Sequence, residues 1–341
     1  MTKLMRMPLY TMFIALSFFM FEWAFLPQQA EAQGRRAADV EEEEEAVDEE
    51  ELDEEEEEDY SDRPIPDPVR LSGQILKTKD GVLLSATYYP GNRGKKSVPI
   101  ILLHDWSGSR ADFETLAPIL QAEGYAVLVP DLRGHGRSKQ LEVGPEKLEE
   151  IKLPSNPTAG YFNEMLNFDL PKLKLFLMKE NNGGELNIDK LCVGGIGMGG
   201  YLGAYFAAGD WNPRVKRRKE NPRMGDVKAF LMISPPKSIR GARNVKFAGA
   251  LTNANWNANL SCLILCGESN DKLIASPKTL EAQLRKCCSK TTMEESVFPL
   301  VVEMDAEGKD LIAAEDSPAV DIILDFLHVR LYERDILWSR R

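Results

Sequence analysis

Histidine is scarce in this chain, with only His104, His135 and His328 in 341 residues. None lies between residues 136 and 327, so that long stretch cannot supply an imidazole base. Cysteine is sparse as well: five residues, all beyond residue 190, with no CxxC pair and no Cys/His spacing that would hold zinc. Cys192, Cys262 and Cys266 stand inside apolar runs, as packed thiols do, and the vicinal Cys287 and Cys288 would strain a mutual bond. No internal repeat occurs, which excludes solenoids and propellers. Basic residues are missing from Asp39 to Asp59, where 17 residues are acidic; without this tract the net charge would be +5 rather than −12. The remainder is thus near balance, which excludes the dominant basic field of a nucleic-acid binder.

What is present falls into three parts. Lys3 and Arg6 precede an apolar run from about Leu9 to Leu26, and Ala30-Glu31-Ala32 follows it. This predicts a signal peptide over 1–32 and an exported, periplasmic or secreted protein, the rival being an uncleaved membrane anchor. Residues 33–69 combine the acidic block with Pro64, Pro66 and Pro68 and lack periodicity, which predicts a disordered linker. Residues 70–341 alternate short apolar runs with amphipathic stretches. Strands are expected at Pro99–Leu103, Ala126–Val129, Leu191–Val193, Ala229–Ile233 and Cys262–Leu265, after a hairpin of Gln74–Thr78 and Val82–Tyr89 around Asp80-Gly81. Helices are expected at Phe113–Gln121, Asn163–Lys179, Gly199–Ala208, Pro277–Lys286 and Ser317–Tyr332. The fold class is therefore α/β: a doubly wound, mostly parallel sheet with helices on both faces. The interval Pro235–Leu260 is too short for a large cap domain.

Four motifs follow four of these strands. They are LLHDWSGS (Leu102–Ser109), PDLRGHGRS (Pro130–Ser138), VGGIGMGG (Val193–Gly200) and Gly267-Glu268-Ser269-Asn270-Asp271. In this order they resemble the α/β-hydrolase family, of the dienelactone-hydrolase or serine-aminopeptidase type. The resemblance implies that the first is the His-Gly loop of the oxyanion hole and the third the strand-turn-helix elbow G-x-S-x-G. It also implies Trp106 and Met198 as the oxyanion amides, Asp271 as the triad acid, and a histidine in the loop before the last helix.

Two of those positions have changed. The elbow reads Gly195-Ile196-Gly197-Met198-Gly199, so Gly197 stands where the resemblance places the nucleophilic serine. Glycine keeps a turn that is strained for other residues, with φ above zero, and lacks the hydroxyl. The loop before the last helix is Ala306-Glu307-Gly308-Lys309-Asp310, with Lys309 at the histidine's place. His328 falls within the last helix, on a solvated face with Asp325. An acid at 271 without its imidazole has no catalytic task.

The expectation is therefore a non-catalytic relative, a binding or assembly module that takes an unknown small ligand or protein partner at the relic cleft. No cofactor, metal or nucleic acid is implied, and a membrane only if the N-terminal segment stays uncleaved. The alternative is an active ester or peptide hydrolase with a non-standard set: Ser107, Ser109 or Ser138 as nucleophile, His104, His135 or Lys309 as base. Gly195 to Gly200 also satisfies G-x-G-x-x-G, but the acidic ribose ligand expected about 20 residues on is replaced by the basic run Arg214–Lys219.

Overall fold

A computed structural model describes residues 63–211, 225–241, 260–268, 272–284, 296–313 and 317–341. The predicted signal peptide 1–32, linker residues 33–62, Arg214–Lys219, Cys287, Cys288 and Asp271 lie outside the described residues. Among the described residues no helix is long and apolar enough to cross a membrane.

The main sheet has eight strands in the order β1-β3-β5-β4-β8-β9-β10-β11. These are β1 (Val69–Leu71), β3 (Ser85–Tyr89), β4 (Pro99–Leu103), β5 (Ala126–Asp131), β8 (Leu191–Ile196), β9 (Val227–Ile233), β10 (Ser261–Gly267) and β11 (Val297–Val302). From β5 to β11 every pairing is parallel; β1 and β3 add an antiparallel edge. The central strands are apolar at nearly every residue because both faces are covered. In β4, Ile101 and Leu103 join one core while Ile100 and Leu102 join the other, as the two-residue period of a strand requires.

Helices α2 (Ala159–Glu164), α3 (Leu170–Asn182), α4 (Met198–Asp210) and α5 (Pro277–Leu284) contribute to the first core, α1 (Leu116–Ala122) and α6 (Pro318–Leu327) to the second. The connection after β4 runs to α1 on one face, and that after β8 runs to α4 on the other. The carboxyl ends of these adjacent strands thus bound a topological switch point, where open α/β sheets place their sites.

Several expectations are corrected. Gln74–Thr78 forms turns with a single bridge, Lys77 to Leu83, rather than a hairpin strand; β2 (Val82–Leu83) pairs instead with β6 (Gln140–Gly144), which pairs with β7 (Lys147–Glu150) in a small second sheet. The sheet begins at Val69, and Pro66 accepts a hydrogen bond from the Gln121 side chain, so the folded chain reaches back into the Pro-rich segment. The helix expected at Asn163–Lys179 has a wide turn at Met165–Asp169, between α2 and α3. Pro171 is the cause: it has no amide to give residue 167, and its ring crowds that carbonyl.

That wide turn carries Asp169, fully buried, to Arg133 in the loop after β5. The Arg133 guanidinium donates to Asp169 at 2.7–3.1 Å, to Asp80 at 2.8 and 3.2 Å and to Glu164 at 3.0 Å. Arg133 is only 3% exposed. Its charged form is held firmly, above the usual arginine range, by these carboxylates against the cost of burial. One cation therefore joins the β5 loop, the wide turn and the turn before β2. Arg133→Ala strands the buried Asp169 charge and should lower the unfolding free energy by roughly 3–5 kcal/mol. Urea unfolding checks this; a loss below about 1 kcal/mol would mean that the network behaves as a solvated surface pair.

Candidate active-site remnant at the carboxyl end of the sheet

The chain leaves β8 through Gly197 and enters α4 at Met198. Gly197 has φ 55° and ψ −116°, a backbone region that side-chain-bearing residues rarely adopt. Its amide donates to Ile233 O at 2.9 Å, which fixes the turn against β9. Gly195 and Gly199 flank it for another reason: a Cβ on either would collide with the Leu103 carbonyl, so the elbow can lie directly on β4 only if both lack side chains.

The place of a side chain on residue 197 is taken. A Cβ there would collide with the Asp105 carboxyl group, 2.5 Å from Oδ1. The same Oδ1 accepts the Met198 amide at 2.8 Å. Asp105 thus reaches from the β4 loop across the elbow. Its carboxylate sits on the first amide of α4, a donor that favours anions through its unpaired N–H and the helix dipole. Met198 is the amide that the resemblance assigns to an oxyanion, and the oxyanion it holds belongs to the chain.

Both loop histidines have their ring nitrogens against backbone groups. His104 is fully buried; Nε2 accepts from the Leu132 amide at 3.0 Å, and Nδ1 lies 2.6 Å from Asp105 O, to which it donates. Burial pushes this imidazole down to about 4, against the partial support of the Asp105 carbonyl. His135 has Nδ1 at 3.0 Å from Arg133 O and Nε2 at 2.5 Å from Trp106 O, and it packs edge-on between Trp106 and His104. Both rings brace the first two motif loops. Trp106, half-buried, also packs on Tyr161 of α2. His328 is half-exposed, on the solvated face expected, and stacks on Tyr332, with the Glu333 carboxylate at 3.3 Å.

The serines divide similarly. Ser138 is buried, donates to Asp131 O at 2.6 Å and accepts from Ser85 N at 2.8 Å, so it ties the loop after β5 to β3. Ser109 caps the 3-10 turn Arg110–Phe113 with Asp112 returning the bond, and Ser107 is exposed. Lys309 is exposed, and its charge acts on Asp112, whose carboxyl is raised by burial and eased back by its bond to Ser109 and by Lys309. The loop that bears Lys309 does reach the elbow: Gly308, at φ 60°, stands against Ile196.

Ser234, which the sequence did not single out, holds that loop. It is buried at the end of β9 with φ 44°, its hydroxyl makes a short hydrogen bond to Glu307, and it accepts the Gly308 amide at 2.8 Å. A strained serine bound to a carboxylate has nucleophile-like parts, but at 2% exposure Ser234 serves as the clamp of the 304–310 loop.

A sequence profile of the α/β hydrolase fold matches residues 98–217. Among solved structures, esterase 2 of Thermogutta terrifontis, phosphorylated by paraoxon, superposes with a TM-score of 0.54 at 13% identity, covering 80% of this chain and 98% of the esterase. The Pyrococcus furiosus esterase Pf2001 gives 0.52 at 17% identity, over 78% and 93% of the two chains. An S-formylglutathione hydrolase from Agrobacterium tumefaciens gives 0.51 at 13% identity, over 77% and 94%. The fold is that of the α/β-hydrolases. No curated protein sequence matches the chain significantly.

The buried neutral His104 makes stability pH-dependent. Its folded value of about 4 lies below the ordinary 6.5, so the unfolded chain binds the extra proton between these limits. Stability from this group is present above pH 6.5 and declines as pH falls toward 4, by roughly 3 kcal/mol in full. Urea unfolding at pH 7 and pH 4.5 should show the loss, and His104→Gln should remove most of the difference. An unchanged pH slope in the variant would place the titration elsewhere.

Proposed function

We propose that this chain is an exported, non-catalytic protein built on the α/β-hydrolase fold, and that it uses the carboxyl end of its sheet for binding or assembly. One observation carries this reading: the Asp105 carboxylate occupies the nucleophile's space and accepts the Met198 amide at 2.8 Å. An acyl substrate would need that amide free for the charge that develops on its carbonyl oxygen, and removing one such donor typically costs about 10²–10³ in rate. With glycine at 197 the attacking group is missing too, and the ring nitrogens of both loop histidines lie against backbone groups of the two motif loops. The absence of a side-chain nucleophile and the self-filled amide are independent losses, and both act on the same step.

The reading predicts inertness toward both substrates and probes. Paraoxon phosphorylates the Thermogutta esterase; the present chain should show no phosphoryl adduct by intact-mass analysis, and no hydrolysis of p-nitrophenyl acetate above the uncatalysed rate. An adduct on Ser107, Ser109, Ser138 or Ser234 would replace this proposal with that of an active enzyme.

A mutational cycle tests the geometry. Gly197→Ser alone should be inert and destabilised, because serine meets both the strained φ and the Asp105 carboxyl. Adding Asp105→Gly should recover part of the lost stability, with a coupling above roughly 1 kcal/mol as expected for groups in direct contact. The triple variant with Lys309→His should exceed the sum of all lesser variants on the activated ester, since a catalytic set is strongly non-additive. Strict additivity of the stability changes at 105 and 197, measured by thermal unfolding, would show that the two residues do not share one space.

A further inference from the structure

Toward the β1 edge of the sheet lies a cavity of about 460 Å³, lined by Pro68, Arg70, Thr87, Tyr89, Arg110, Glu114 and Arg137. It shares no lining residue with the elbow. Three arginines from three separate elements line it, with one acidic residue, Glu114.

The placement of these arginines is built into the fold. Arg70 on β1 stands opposite Thr87 on β3 in the antiparallel register, and Tyr89 follows on the same face of β3. Arg110 opens the 3-10 turn after β4, and Arg137 lies in the loop after β5. A single buried carboxylate holds those two loops together: Asp131 accepts the Arg110 amide at 3.0 Å on Oδ1 and the Arg137 amide at 2.9 Å on Oδ2. Its remaining attraction is to Arg110 Nε at 3.7 Å. Among the described residues, the side chains of Arg70 and Arg137 have no carboxylate partner. Two arginines without carboxylate partners thus line the same cavity.

We infer that this cavity binds a phosphate monoester of a small, ring-bearing alcohol. With Arg110 engaged by Asp131, Arg70, Arg137 and Glu114 leave an excess of one positive charge, and two guanidinium forks without carboxylate partners can share the three terminal oxygens of a phosphate monoester, where a carboxylate offers two. Arginine forks suit phosphate oxygens because several parallel N–H bonds form at once. The volume is larger than a bare phosphate fills, and the Tyr89 ring and Pro68 give the organic part an apolar wall beside the Thr87 hydroxyl.

The test is calorimetric titration of the full chain with phenyl phosphate, inorganic phosphate and benzoate at low salt. Phenyl phosphate should bind several-fold more tightly than inorganic phosphate, which lacks the ring, and on the order of tenfold more tightly than benzoate, which lacks the second charge. Affinity should fall when salt is raised, and when pH is taken below about 6, where the monoester loses its second charge. Arg70→Ala with Arg137→Ala should weaken phenyl phosphate by roughly tenfold or more while leaving the ligand-free thermal midpoint nearly unchanged, because both side chains are exposed and unpaired. Binding that survives the double variant, or no heat with phenyl phosphate in the millimolar range, overturns the site. Equal affinity for phenyl phosphate and inorganic phosphate overturns the monoester assignment.

Discussion

A backbone amide at the start of a helix attracts negative charge, and in this protein the charge that answers it is Asp105, two residues beyond the end of β4. The bond from Met198 to Asp105 decides what the neighbouring groups can be. It sets the Asp105 carboxylate over the elbow, where a side chain at 197 would meet it. It brings the Asp105 carbonyl to His104, whose ring is thereby held neutral between that carbonyl and the Leu132 amide. From there the bracing continues through His135 to Trp106 and Tyr161. The carboxyl end of the sheet is organised as a set of mutual supports.

The same economy of roles recurs around β5. Its terminal residue Asp131 binds two loops through their amides, Ser138 binds the next turn to β3, and Arg133 gathers three carboxylates from distant parts of the chain. A segment of eight residues therefore fixes the edge, the second small sheet and the wide turn that Pro171 imposes. Loops with this many internal partners are rigid by construction, since each buried polar group that is satisfied adds to the cost of opening.

Much of this was legible in the sequence, and what was not has physical causes. The central strands β4, β5, β8, β9 and β10 stood out because burial on both faces demands unbroken apolar runs. Gly197 was legible because an elbow motif fixes its place, and the structure gives it the positive φ that such a turn needs. The strand β11 was not, since Val297–Val302 carries Pro299 and lies at the sheet edge, where alternation is weak. The β6–β7 hairpin is polar and exposed, so it has no hydrophobic pattern to read. Asp105 stands in the first motif without a mark of its own, because its role depends on where that loop lands relative to Met198, a contact across 93 positions that no local pattern encodes. Ser234 and Glu307 escaped for the same reason.

The Asp105 contact also bears on history. Serine at 197 and aspartate at 105 compete for one volume, so a chain with both must turn the Asp105 carboxylate aside and weaken its bond to the Met198 amide. The cost of each substitution therefore depends on the other: aspartate at 105 is better accommodated once glycine stands at 197, and serine at 197 once the aspartate has gone. Position 105 thus weights the order in which the two changes are tolerated.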